Sequence, residues 1–128
     1  MAGWDDVRRI ALDLPEAVED GSGRTTAWRI GTKAFAWERV LRRGEREALG
    51  DDAPDGPALG VRVPDVDVVD GLVAARPGVF LSVAGYGIHP MALLHLERAT
   101  IEDLDEAITE SWLCRAPRRL RQPFLDGT

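Results

Sequence analysis

The sequence predicts an α+β fold: a two-layer sandwich in which an antiparallel sheet of about five strands is covered on one face by helices. Three observations lead there. Apolar residues recur at helical spacing near both ends and in the middle of the chain, and short alternating or wholly apolar runs lie between those segments. The resulting order, α-β(3-4)-α-β(2)-α, lacks the regular βαβ alternation of a parallel sheet. No glycine fingerprint of a nucleotide-binding fold follows a predicted strand.

Residues 4–14, WDDVRRIALDL, put Trp4, Val7, Ile10, Ala11 and Leu14 on one helical face, with Asp5 and Asp6 in the first turn, where the helix dipole favours acids. Pro15 ends this helix. After a short acidic stretch, TAWRIGTKAFAWERV alternates Trp28 and Ile30 before Gly31-Thr32 and Phe35 and Trp37 after it. That is a hairpin with a II′-type turn in which Gly31 supplies the positive φ. Residues 43–60, RGEREALGDDAPDGPALG, collect glycine, proline and acids without periodicity and read as a long exposed connection between strands. ALGVRV then makes a strand. From Asp65, an N-cap after Pro64, Val66, Val69 and Val73 mark one face of a second helix that stops at Arg76-Pro77. VFLSV and MALLHLERA are further strands, joined by AGYGIHP, which has turn composition. Thr100 opens a third helix with Asp103 three residues later, close to a capping box, and Ile101, Leu104, Ile108 and Trp112 line its buried face. Trp4, Trp28, Trp37 and Trp112 all fall on predicted core faces.

At 128 residues the chain fits one domain spanning 1–128. Its 45% hydrophobic content is too high for intrinsic disorder. No apolar run approaches the roughly 20 residues that span a bilayer, and MAGWDDVRRI lacks the basic-then-apolar order of a signal peptide, so a cytoplasmic protein with no membrane partner is expected. The lone Cys114 cannot form an intramolecular disulfide and is expected to be buried and inert. A net charge of −6 weighs against avid nucleic-acid binding. Charge is nevertheless segregated: residues 112–125 hold four arginines and no acid, leaving 12 basic against 22 acidic residues, or −10, elsewhere.

Four segments resemble the MmcQ/YjbR family of small bacterial proteins: WDDVRRIALDLP at the start, WRIGTKAFAW in the hairpin, VRVPDVDVVDGLVAARPGVF in the middle and ITESWLCRAPRRL near the end. The last is the most specific, a tryptophan followed after a short spacer by an Ala-Pro-basic-Arg-Leu run. The resemblance covers most of the chain and implies a fold similar to frataxin-like and secretion-chaperone-like domains. It also implies non-enzymatic DNA binding through a double-wing arrangement of hairpins. The Gly- and Asp-rich insertion near residues 49–56 departs from the family pattern and sets acids beside one hairpin.

For nucleic-acid binding the candidates are Arg115, Arg118, Arg119 and Arg121, whose forked donors suit phosphate, with Arg29 and Lys33 near the hairpin turn. The structural alternative is that cations trail the third helix because its C-terminal dipole favours them, while Pro117 starts a short extra turn that Leu120 and Phe124 pack down. Glu102, Asp103, Asp105, Glu106 and Glu110 on the third helix would repel DNA. They suit instead the alternative function, a protein-interaction or chaperone-like adaptor, possible as a homodimer through a sheet face or edge. Tyr86 and His89 in AGYGIHP are candidates for a small-ligand contact, since two glycines permit close approach, although a tight turn needs the same glycines. His89 and His95 stand too far apart along a strand to chelate one ion. No serine or cysteine lies in a nucleophile motif, and GDDAPDG lacks the Gly-Lys-Ser/Thr ending of a phosphate loop. No metal, cofactor or enzymatic activity is expected.

Overall fold

The computed structural model describes residues 2–21, 23–82 and 90–127. Six strands, β1 (Ala17–Asp20), β2 (Ala27–Ile30), β3 (Lys33–Arg39), β4 (Ala58–Arg62), β5 (Phe80–Leu81) and β6 (Met91–Leu94), form one sheet in the order β1-β2-β3-β4-β6-β5. Every pairing is antiparallel. The α+β class is as expected, and the strand that hydrophobic patterning misses is β1. Its sequence, AVED, carries two acids and no apolar alternation; it extends because β2 offers a free ladder, with Val18 opposite Arg29 and Glu19 opposite Trp28. The β2–β3 hairpin turns at Gly31, whose φ of 61° is followed by an ordinary negative φ at Thr32, the combination a II′ turn requires.

Helices α1 (Trp4–Leu12) and α4 (Ile101–Arg115) pack on the same face of the sheet. Val7, Ile10 and Ala11 of α1 and Leu104, Ile108 and Trp112 of α4 bury against Trp28, Phe35, Leu59 and Leu94. Each large side chain so buried contributes on the order of 1.5–3 kcal/mol. Helix starts follow their caps. Asp65 accepts the Val68 N–H at 3.1 Å to open α3 (Val66–Ala75), and Thr100 and Asp103 exchange two bonds of 2.9 and 3.0 Å to open α4. Alternate strand positions face the other way, where Ala58, Leu81 and Leu93 pack with Leu41 and with Leu49 of α2 (Arg43–Leu49).

Residues 43–60 therefore are not a featureless connection. Helix α2 and a 3₁₀ turn, Gly50–Asp52, occupy half of it. Neither shows apolar periodicity because polar contacts hold them. Glu45 accepts from the Arg42 N–H at 2.9 Å and from the Arg39 guanidinium at 2.6 Å, while Arg98 reaches Asp52 at 2.7 Å. Among the described residues of VFLSV only Phe80–Leu81 form a strand, and MALLHLERA leaves the sheet after Leu94, entering a 3₁₀ turn over Leu96–Arg98. Ile101 and Val66, expected on buried faces, are 42% and 51% exposed because each is the first residue of its helix, outside the stretch that meets the sheet. After α4, the expected extra turn is a full helix, α5 (Arg118–Leu125), docked by Leu120 and by Phe124, whose ring meets that of Trp112 at 5.0 Å and 49°.

Candidate anion site

Strand β4, ALGVR, is apolar until its last residue, Arg62. Ser111, fully buried in α4, anchors that end: its hydroxyl accepts the Arg62 N–H at 2.8 Å and donates to the Phe35 carbonyl. One side chain thus ties α4 to β3 and β4, where an unmade bond would cost about 1–3 kcal/mol. The Arg62 guanidinium then lies over the Trp37 ring, 4.8 Å from its centroid. Trp37 can lie flat on the sheet because Gly60 stands opposite it on β4; a Cβ at position 60 would come within 2.5 Å of the indole. This corrects the expectation that Trp37 belongs to the main core: it is half-buried on the opposite face, while Trp28 and Trp112 are buried and Trp4 stacks on Trp28 at 6.2 Å.

A cavity of about 440 Å³ opens at this point, lined by Arg62, Arg115 and Arg121, with Val63, Pro64, Pro90 and Cys114. No acid is among these residues. The Nε of Arg115 is buried and has no hydrogen-bond partner among the described residues. Desolvation, and then the Arg115 charge, lower the pKa of the Arg62 guanidinium from its ordinary value. Like charges crowded into a partly dry recess are unfavourable alone, and an oxyanion between them reverses the sign of that interaction.

The six cations singled out in the sequence divide accordingly. Arg115 and Arg121 converge, joined by Arg62. Arg119 is engaged elsewhere, in a forked pair with Glu16 at 2.8 and 3.1 Å, and Arg29 binds Asp20 at 3.0 Å and the Thr32 carbonyl at 3.2 Å. Arg118 and Lys33 are exposed. The dipole explanation covers Arg115 alone, which closes α4; Arg118, Arg119 and Arg121 begin α5, where the dipole disfavours cations. Sequence spacing does not connect Arg62 with Arg115, 53 positions away, and the one local signal is a single charge closing an otherwise apolar strand.

Tyr86 and His89 lie outside the described residues. His95 is buried, its N–H bonded to the Val79 carbonyl at 2.9 Å, and its Nδ1 has no hydrogen-bond partner among the described residues. Cys114 is exposed rather than buried, since it lies two residues past Trp112 on the side of α4 turned from the sheet. Desolvation by the neighbouring side chains and then the nearby Glu110 push its thiol above the ordinary 9.0, against a smaller opposite pull from Arg115. Glu102, Asp105, Glu106 and Glu110 are exposed on α4, whereas Asp103 takes Arg76 at 2.9 Å. Among the described residues no group of three or more His, Cys, Asp or Glu could hold a metal ion, and no helix is long and apolar enough to cross a membrane.

No family model matches the sequence. The fold is similar to that of a crystal structure of Deinococcus radiodurans protein DR2400, a DUF419 domain, with a TM-score of 0.65 over 95% of this chain and 87% of that one; at 20% identity the likeness is one of fold. In sequence the chain is 44% identical to the uncharacterised proteins Rv2570 of Mycobacterium tuberculosis and Mb2600 of Mycobacterium bovis, over 98% of this chain and 97% of theirs. Identity at that level across nearly the whole of both chains places this protein in one family with them: it belongs to the family of these uncharacterised mycobacterial proteins.

Proposed function

We propose that the chain is a non-catalytic binding module whose recess at Arg62, Arg115 and Arg121 takes a single phosphate or carboxylate group. One observation carries this: among the described residues, three guanidinium groups line one cavity with no acid among its walls, and the buried Nε of Arg115 lacks an acceptor. Leaving a buried donor unpaired is costly, and the guanidinium fork matches two oxygens of either anion. The DUF419 neighbour supports the MmcQ/YjbR resemblance. The DNA binding that this resemblance implies would draw on the same cations. Acids along α4 and the ion pairs that occupy Arg29 and Arg119 favour a compact anion over a duplex.

Isothermal titration with inorganic phosphate, against a chloride control of equal ionic strength, tests the assignment. Saturable one-to-one binding is expected, with a rise in Tm that grows with phosphate concentration. Arg115→Gln removes a charge-assisted bond of about 1.5–3 kcal/mol and should weaken binding by at least tenfold. Phosphate, sulfate and acetate that all give no saturable heat and no Tm change beyond chloride would overturn it.

A further inference from the structure

A second recess adjoins the one at Arg62. A cleft of about 470 Å³ lies between α3 and α4 and shares Arg62, Val63 and Pro64 with the arginine-lined cavity. Its other walls include Val61 and Phe80 from the sheet, Val68 and Leu72 from α3 and Ala107 from α4. We propose that the two recesses form one site for a small amphipathic carboxylate, its head at Arg62, Arg115 and Arg121 and its linear apolar body in the α3–α4 cleft. This rests on the anion assignment made above and specifies the class of ligand.

Size and charge both favour this occupant. The cleft falls within the roughly 300–1,000 Å³ range of pockets that hold small organic ligands. Val69 is the buried residue of α3, so Val68 and Leu72 are left half-exposed along the cleft, apolar surface that a hydrocarbon body would cover. Glu106 and Glu110 also line the cleft, on its α4 side, while Asp103 there is neutralised by Arg76 at 2.9 Å. An anionic head is repelled from that side and drawn to the arginine end, which sets the orientation of the ligand.

The test is a chain-length series on the unaltered protein: acetate, butyrate, hexanoate, octanoate and decanoate, each titrated calorimetrically below its micelle concentration. Affinity should rise about two- to fourfold per added methylene, the upper figure corresponding to full burial of the group. Arg115→Gln should weaken every member of the series by a similar factor. Ala107→Phe, which fills the cleft, should flatten the dependence on length. A flat series on the unaltered protein, with phosphate and acetate still bound, overturns the two-part site and leaves the anion assignment standing. No binding of any anion overturns both. A rising series undiminished in Arg115→Gln places the head elsewhere and also overturns the proposal.

Discussion

Arg119 and Arg115 lie four positions apart and carry the same charge, yet their surroundings give them different work. Arg119 donates two hydrogen bonds to Glu16, a residue held at a φ of 56° just after Pro15, and that hydrogen bond is the main cause holding the Glu16 carboxyl below its ordinary value of 4.5. The sign of the pH effect follows. A carboxylate whose folded pKa is depressed adds stability that is present above its ordinary range and is lost as pH falls through the lowered folded value. Both groups are exposed, so solvent screens the pair and the gain is small. NMR titration of the Glu16 carboxyl should give a midpoint below the ordinary 4.5, and Arg119→Gln should return it to the ordinary range. A Glu16 midpoint that Arg119→Gln leaves unmoved would show that the pair does not persist in solution. Arg115, with its Nε buried, has no such acceptor among the described residues, and it is the side chain on which the proposed external anion depends most.

At the scale of elements, the site depends on a register between two strands. Trp37 stands opposite Gly60 in the β3–β4 ladder, its ring lies where a Cβ would be, and Arg62, two residues on, rests above it. Gly60→Ala sets a methyl 2.5 Å from two ring atoms of Trp37 and must push the indole outward. Overpacking of this kind costs about 1–3 kcal/mol, or a Tm loss of roughly 2–8 °C per kcal/mol, and the shifted ring should carry Arg62 away from Arg115 and weaken phosphate binding. Unchanged Tm and unchanged phosphate affinity in Gly60→Ala would rule out this seating of Arg62. Only part of this assembly was legible in the sequence. Caps at Asp65 and Thr100, the turn at Gly31 and the apolar spacing of α1 and α4 are local, so they could be read directly. Strand β1 and helix α2 could not, because β2 and the Arg39–Glu45 pair impose them from outside. Two arginines of the site lay in a conspicuous basic segment. The third needed the fold, since only the packing of α4 across β4, fixed by Ser111, brings position 62 beside position 115.

For the molecule as a whole, charge decides which anions can approach. Among the described residues at least eight of the 16 lysines and arginines are held in ion pairs, Arg29 and Arg119 included, and the net charge is −6. Duplex DNA rewards a broad cationic footprint, because each phosphate neutralised releases about one counterion and several are needed for useful affinity. Here the exposed acids of α4 lie beside the recess, Glu110 near Cys114, so that a duplex laid over the arginines would also meet that ridge. A single anionic group pays little of that repulsion, since it enters between Arg62, Arg115 and Arg121 and leaves the ridge in solvent. Fluorescence anisotropy with a short labelled duplex at about 50 mM salt should therefore show no saturable binding at tens of micromolar protein, within the roughly 10⁻⁴–10⁻⁶ M range of ordinary nonspecific affinity. Phosphate binding under the same conditions should fall only slightly as salt rises, in keeping with one displaced counterion. Saturable duplex binding that falls steeply with salt, and that Arg118→Ala with Arg119→Ala weakens, would instead mean that the exposed cations of α5 act together on a nucleic-acid backbone and that the compact recess is not the principal site.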